Sequence, residues 1–284
     1  MTETEVGVGI VGAGRVGQAI ARRLAQRGEP DGLIFSRTAS RAEALAAELG
    51  WRAVPRAALA LTQARLTLLA VPDGALDRLG SELASQVGKG APLGGRIVAH
   101  CAGSRGLQPL LPLQALGVAV GVFHPLAPIP DGDPSSLDQT HISIEADALA
   151  GPALLRLAAQ LGCRTLLVGE LDRSLYHAAA VFAGVLPVLL ERISERVGSR
   201  AGGGGGLALA LRELYAASGR NVLRLGPERA LTGPEERQDS ATVSAHLASL
   251  GRLDPALASL YRSIHEAARQ TPADPTGKGE MANG

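Results

Sequence analysis

The apolar run Val6-Gly7-Val8-Gly9-Ile10-Val11 breaks into Gly12, Ala13, Gly14, Arg15, Val16 and Gly17, then resumes as a helical pattern through Arg27. A strand, a glycine turn and a helix in this order commit the chain to a βαβ beginning. Gly12 permits the tight turn, Gly14 leaves the backbone open to a pyrophosphate, and Gly17 lets the helix pack on its strand. Phosphates would then meet the helix N-terminus, so residues 12–17 are expected to cradle a dinucleotide.

The second strand indicates which dinucleotide. NAD sites place an Asp or Glu about 20 residues past the glycines, on the ribose 2′-hydroxyl, whereas NADP sites carry a small polar residue and Arg. Here the strand ends in Leu33-Ile34-Phe35-Ser36-Arg37-Thr38, without a carboxylate. Ser36, Arg37 and Thr38, with Ser40 and Arg41 on the following helix, suit a 2′-phosphate that a guanidinium pairs bidentately. NADP is therefore expected over NAD, the alternative being that Arg37 and Arg41 are solvated loop charges.

Short Val/Ile/Leu-rich runs bounded by Gly, Pro or polar residues predict strands at 6–11, 32–36, 52–54, 65–71, 96–101, 117–122, 140–145 and 164–168. Helices are expected at 15–27, 40–49 (capped by Ser40 and stopped at Gly50), 73–87, 106–116 and 147–161. This alternation predicts an α/β fold, a doubly wound and mostly parallel Rossmann-like sheet over residues 1–168. After Gly169 the strand signals stop, and helical spacing at 170–197, 207–225, 238–250 and 254–270 predicts an all-helical C-terminal domain over 169–270. Gly202 to Gly206 suits a flexible loop between two of these helices, and 271–284 has the composition of a disordered tail.

Charge narrows the partners. With 28 basic and 27 acidic residues, the chain has no electrostatic footprint for nucleic acid or an anionic membrane, so a small-molecule substrate is expected. No apolar stretch is expected to span a membrane, and the acidic Met1-Thr2-Glu3-Thr4-Glu5 is unlike a signal peptide, which together suggest a cytoplasmic protein. Cys101 and Cys163 fit reduced thiols and supply no metal-ligand spacing.

Ligands of such sheets sit beyond the strand C-termini. Ala70, Val71 and Pro72 are expected along the ribose and nicotinamide, with Asp73 read as a cap of the next helix. In His100-Cys101-Ala102-Gly103-Ser104, Ser104 and nearby backbone N–H groups can face a substrate carbonyl or carboxylate. His100 and Cys101 are read either as packed strand residues or as direct contacts, His100 to substrate and Cys101 to cofactor. His124, before Pro125, is a donor to a ligand or a locally satisfied imidazole. Further along, Tyr176-His177 opens a long helix, and His177 can supply a proton or be a buried helix residue. Thr232 and Arg237 can bind a substrate, Arg237 through a carboxylate; alternatively Gly233-Pro234, Glu235 and Glu236 are helix punctuation and Asp239 a cap or surface partner.

Together, the glycine motif, His100 to Ser104, Phe123-His124-Pro125-Leu126, Leu175-Tyr176-His177-Ala178-Ala179-Ala180-Val181-Phe182 and Ala230-Leu231-Thr232-Gly233-Pro234 resemble Rossmann-like proteins with a C-terminal helical domain of unknown function. More broadly the chain is similar to pyrroline-5-carboxylate reductase, ketopantoate reductase, 3-hydroxyacid dehydrogenases and deazaflavin-dependent NADP reductases. The resemblance implies an NADPH-dependent oxidoreductase reducing a small carbonyl or imine compound that bears a carboxylate, and a homodimer paired through the helical domain. The hydroxyacid dehydrogenases carry a proton-shuttling Lys on the long helix; Lys89 and Lys278 occupy no such position, so the resemblance leaves His177, or His124, as proton donor. Thr232 resembles the hydroxyl that pyrroline-5-carboxylate reductases present to substrate. The other class open to the sequence is a non-catalytic NADP-binding sensor or scaffold.

Overall fold

The computed structural model describes residues 6–87, 93–169, 171–202, 204–234, 237 and 239–270. The expected tail 271–284 with Lys278, and also Lys89, Glu235 and Glu236, lie outside them. All eight expected strands form, as β1 Val6–Val11, β2 Gly32–Phe35, β3 Arg52–Ala53, β4 Ala64–Leu69, β5 Ile97–His100, β6 Ala119–Pro125, β7 His141–Ala146 and β8 Arg164–Leu167. They make one sheet in the order β3-β2-β1-β4-β5-β6-β7-β8. Every pairing is parallel except β6 with β7, where His124 opposes Ser143. The chain steps outward from β1 through β2 to β3, then returns to β4 on the other side. That reversal opens a crevice past the C-termini of β1 and β4.

Helices cover both faces. On one, α1 (Arg15–Gln26), α2 (Ala39–Leu49) and α6 (Gly151–Leu161) bury Ile20, Leu24, Leu45, Leu154 and Leu157 against Ile10, Ile34, Phe123 and Ile144. On the other, α3 (Ala57–Gln63), α4 (Leu76–Val87) and the short α5 (Leu111–Gln114) bury Leu61, Leu76, Leu83 and Leu113 against Leu33, Leu69, Val98 and Val120. Two buried faces explain why the strands are continuous apolar runs rather than alternating ones.

Several helix boundaries differ from expectation, each for a local reason. Pro109 and Pro112 remove N–H donors and reduce the expected helix 106–116 to a 3₁₀ turn, Gln108–Leu110, followed by α5. Asp147 delays α6 by drawing the N–H groups of Leu149 and Ala150, at 3.0 and 2.8 Å, and that of Val120 at 2.7 Å. Thr38, not Ser40, is the residue before α2, and its side chain makes no capping bond; the helix does end at Gly50 in the left-handed region. Asp73 opens a 3₁₀ turn, Asp73–Ala75, without capping it. The helix α3 has no expected counterpart, because its sequence AALALTQ has neither a capping side chain nor enough length for a periodic signal.

Beyond β8 the chain is helical: α7 (Arg173–Gly184), α8 (Leu186–Arg200), α9 (Gly205–Leu225), α10 (Pro227–Ala230), α11 (Ser240–Leu253) and α12 (Pro255–Gln270). Pro187 divides the expected helix 170–197 into α7 and α8. The glycine run falls between α8 and α9, its last two residues entering the first turn of α9. The chain divides into two compact units, Met1–Leu189 and Leu190–Gly284, so α7 belongs to the first. The run Arg173–Arg200, 28 residues with a best-window mean hydropathy of 1.5, is long and apolar enough by composition to cross a membrane, which corrects the expectation that no stretch reaches that length.

Asp147 joins β6, β7 and α6 through three backbone donors. Asp147→Ala leaves those N–H groups without their charged acceptor and should lower stability by about 1–3 kcal/mol. A reduced urea midpoint, followed by the fluorescence of Trp51, the single tryptophan, would show it; an unchanged midpoint would assign the joint to packing alone.

Candidate functional site

The crevice is built from the backbone of the β1–α1 turn. Gly12 has φ +116°, donates its N–H to Phe35 O at 2.7 Å, and would set a Cβ 2.2 Å from Ala70 O. A Cβ on Gly17 would lie 2.0 Å from Gly12 O. Both positions therefore admit glycine alone for reasons internal to the protein. Gly14 differs: a Cβ there would meet nothing within 4 Å. Its missing side chain keeps the mouth of the crevice and the N-terminus of α1 open, as approach of a pyrophosphate requires.

The cavity has a volume of about 400 Å³, and Gly12, Ala13, Gly14, Ser36, Arg37 and Thr38 line it together with Ala70, Val71 and Pro72. Arg15, Val16 and Gly17 are not on its wall; Arg15 is exposed, while Val16 packs on the core beneath α1. The Ser36 hydroxyl accepts the Thr38 N–H at 3.3 Å and so shapes the loop after β2. Arg37, Arg41 and Arg56 all line the cavity, and none is paired with a carboxylate among the described residues. Sequence reasoning missed Arg56. Its signal was topological: β3 pairs with β2, so the loop after β3 opens on the same edge as Arg37. The glycine cradle, the exposed helix N-terminus and three unpaired guanidinium groups fit the diphosphate and 2′-phosphate of NADP.

Past β4, β5 and β6 lies a second, polar group of side chains, all within the first unit. Ser104 Oγ donates to the Asp73 carboxylate, tying the loop after β5 to the turn after β4. His124 Nδ1 and the Tyr176 hydroxyl are hydrogen-bonded at 2.9 Å, and the His177 ring stands 6.4 Å from that of His124. Arg173, at the start of α7, bonds Glu145 of β7 and lies 5.7 Å from the Tyr176 ring. Gly103 lets the β5 loop lie on the imidazole, since a Cβ there would fall 2.5 Å from His124 Cε1. Tyr176, named in the sequence only as the neighbour of His177, was not given a role of its own, and Arg173 and Glu145 were not singled out because no local motif marks them.

Two candidates occupy other roles. His100 is fully buried, its Nε2 at 2.8 Å from Gly106 O and its Nδ1 accepting Ala102 N–H at 3.2 Å. Both ring nitrogens are engaged in shaping the loop, leaving none for a substrate. Cys101 packs in the core behind the sheet, off the cavity wall, and burial pushes its thiol up to about 12. Burial also lowers the pKa of His100, and burial followed by the charge of His177 lowers that of His124 to about 4. His124 is therefore neutral at neutral pH and acts as the hydrogen-bond partner of Tyr176, not as a resting acid. Thr232 and Arg237 lie in the second unit, between α10 and α11, where Arg237 N–H meets Gly233 O at 3.3 Å. Asp239 caps α11 through Thr242 N–H at 3.0 Å.

Comparison with known proteins agrees with this architecture. Residues 1–125 match a Rossmann-like domain, and residues 140–268 match a domain of unknown function, DUF2520. The chain thus joins a Rossmann-like domain to a DUF2520 domain. Among solved structures it is similar to a provisionally assigned NADP oxidoreductase of Bacteroides fragilis, with 23% identity, 94% of this chain and 99% of that chain covered, and a TM-score of 0.74. It is also similar to a reductive aminase of Aspergillus terreus in complex with NADPH and ethyl-5-oxohexanoate, at 17% identity, 94% coverage of each chain and a TM-score of 0.66. A pyrroline-5-carboxylate reductase of Coxiella burnetii shares 15% identity over 94% of this chain and 100% of that chain, with a TM-score of 0.60. At these identities the likeness is one of fold. No curated protein matches the sequence.

The imidazoles give the site a pH signature. Folded His124 and His100 bind protons less readily than unfolded histidine, so their contribution to stability is complete above about pH 6.5 and declines as the pH falls. For His124, moving from an ordinary 6.5 to about 4, the full loss is up to about 3 kcal/mol. Urea midpoints should fall between pH 7 and 5, and His124→Gln, whose amide can still meet the Tyr176 hydroxyl, should flatten the slope. A wild-type midpoint independent of pH across that window would contradict the assignment.

Proposed function

We propose that the protein is an NADPH-dependent oxidoreductase that reduces the C=O or C=N bond of a small, carboxylate-bearing substrate. The observation that carries this reading is the sharing of one sheet edge, within one unit, by the NADP-shaped crevice and the polar group of Asp73, Ser104, His124, Tyr176 and His177. The names of the similar structures, an NADP oxidoreductase, a reductive aminase with NADPH and a pyrroline-5-carboxylate reductase, support it. When bound, the reduced nicotinamide supplies a hydride.

The chain's own residues do the rest. The glycine turn and the α1 N-terminus hold the diphosphate, while Arg37, Arg41 and Arg56 hold the 2′-phosphate. Pro72 and Val71 wall the reactive end. His177 gives a proton to the substrate nitrogen or oxygen and recovers one from solvent, as histidine can in neutral water. His124 fixes the Tyr176 hydroxyl beside it. Thr232 and Arg237 are kept as the candidates for a substrate hydrogen bond and carboxylate.

Arg37→Gln and Arg56→Gln should each weaken NADPH binding about tenfold or more while leaving NADH binding near its wild-type value. Equal loss for both nucleotides would remove the 2′-phosphate assignment. His177→Gln should lower kcat about 10²–10⁴-fold with NADPH affinity retained. If NADPH binds while no carbonyl or imine in a broad panel is reduced, the protein is a nucleotide sensor instead.

We further propose that the working form is a homodimer paired through the helical unit. Among the described residues from 190 onward, Leu257 alone is buried, and it keeps 8% exposure. The helices α9 and α11 bury nothing, and Leu214, Tyr215, Val222 and Leu223 of α9 are exposed, Leu223 by 90%. Between α8, α11 and α12 lies an apolar groove of about 420 Å³ lined by Ile193, Val197, Leu250, Leu257 and Ile264. A helical unit with so little core reaches ordinary burial by pairing with a second copy. Light scattering in detergent-free buffer should give twice the chain mass, and Leu223→Asp should shift it toward the monomer. A monodisperse monomer, or recovery only with detergent or lipid, would overturn the dimer.

A further inference from the structure

One carboxylate of the polar group has no ion-pair partner among the described residues. Glu145 is paired with Arg173. His100 has both nitrogens occupied inside its loop, and His124 is engaged with the Tyr176 hydroxyl. Burial favours the neutral form of both rings. Asp73 remains. Its carboxylate is half-buried, accepts from Ser104 Oγ, and forms no ion pair among the described residues. It stands between Pro72 and Ala75, which line the cofactor crevice, while its own side chain is held off that wall by Ser104, on the side of the His100 and His124 rings whose charge it favours.

Resting on the reductase reading above, we propose that Asp73 makes this an iminium site: its carboxylate receives the N–H of a protonated C=N substrate, so the substrate class is a small imine carrying its positive charge at the reacting bond. A carboxylate beside the reacting centre discriminates between the two bonds the reductase reading leaves open. Reduction of a carbonyl builds negative charge on oxygen, which Asp73 repels. Reduction of an iminium starts from positive charge on nitrogen, which Asp73 attracts.

The step balances without a further co-reactant. His177 protonates a neutral imine nitrogen, or the iminium enters already charged. The carbon accepts the hydride and its electron pair as a new C–H bond, and the C=N π pair becomes the lone pair of the amine nitrogen. The imine is reduced by two electrons and the dihydronicotinamide is oxidised by two. The neutral amine then takes a proton from solvent and leaves as an ammonium. Ser104 is the positioning residue, since its hydroxyl holds the carboxylate in place.

The test uses the full-length protein with NADPH, offering 1-pyrroline-2-carboxylate against 2-keto acids and 1-pyrroline against ketones of similar size. Each imine is expected to drive NADPH oxidation with a kcat/KM at least tenfold above that of its matched carbonyls. Asp73→Asn should cut kcat/KM for the imines about 10- to 100-fold, the range of one hydrogen bond to a charged group, while the NADPH Kd stays within twofold. A second readout needs no turnover: calorimetric binding of pyrrolidinium to the NADP-loaded protein should weaken by the same factor in Asp73→Asn and by less in Ser104→Ala. Preference for carbonyls, or imine reduction and pyrrolidinium binding that Asp73→Asn leaves unchanged, would overturn the inference. Pyrrolidinium binding that depends on Asp73, with no turnover of any compound, would uphold the cation contact and remove the reductase reading instead.

Discussion

The turn at Gly12 is the constraint on which the rest of the first unit depends. Its N–H is bonded to Phe35 O at the end of β2, and the space where a side chain would begin is filled by Ala70 O just past β4. One residue therefore touches the strands on both sides of β1 at the point where the strand order reverses. No side chain can be added without parting β1 from β4. This contact fixes where α1 starts and where its N-terminus aims. From there α1 carries the geometry outward: Ile20 and Leu24 bury into the sheet, Arg23 reaches Pro134 O and Asp138, and Arg22 reaches Gly132 O at 2.9 Å. The connection between β6 and β7 is thereby tied to the same helix that presents its N-terminus to the crevice.

The strands were legible because a sheet buried on both faces writes each of its members as a short apolar run between turn residues. The direction of β7 was not. Nothing in His141–Ala146 distinguishes parallel from antiparallel pairing; direction follows from the path of residues 126–140, which α1 holds at Gly132, Pro134 and Asp138 before the chain returns to pair with β6. Helix ends were misplaced wherever a single residue overrode the periodicity, as Pro112 and Pro187 do by withholding an N–H and Asp147 by competing for two.

The cofactor crevice and the polar group differ in legibility for the same kind of reason. Gly12 to Gly17 and Ser36 to Thr38 act largely through backbone and immediate neighbours, so contiguous sequence carries their meaning. The polar group is made of pairs far apart in the chain: Ser104 with Asp73 across 31 positions, Arg173 with Glu145 across 28, and His124 with Tyr176 across 52. Residue type alone suggested His100 as a ligand contact, yet its ring is closed by Gly106 and Ala102, two to six residues away. The local contacts of a strand-end histidine decide between structure and chemistry, and those depend on the fold of a five-residue loop.

The helical unit poses the opposite problem, a clear pattern without a visible partner. Arg173–Arg200 has the length and hydropathy of a membrane span, but its later half is divided by face. Glu191, Arg192, Glu195 and Arg196 recur at the spacing of one helical stripe, while Leu186, Leu189, Leu190, Ile193 and Val197 form another. The charged stripe is used within the unit: Glu195 bonds Arg212 of α9 and Arg196 bonds Asp254 after α11. Four ionisable groups in six residues would be costly in hydrocarbon, whereas an apolar stripe beside a salt-bridged one is the pattern of a helix that packs against other helices in water. Pro187 sits in the first turn of α8, where its missing N–H sacrifices no interior hydrogen bond of that helix. The same run of sequence therefore serves two ends: α7 carries Arg173, Tyr176 and His177 at the sheet edge, and α8 carries the apolar stripe that lines the groove with α11 and α12, the face the proposed pairing would use.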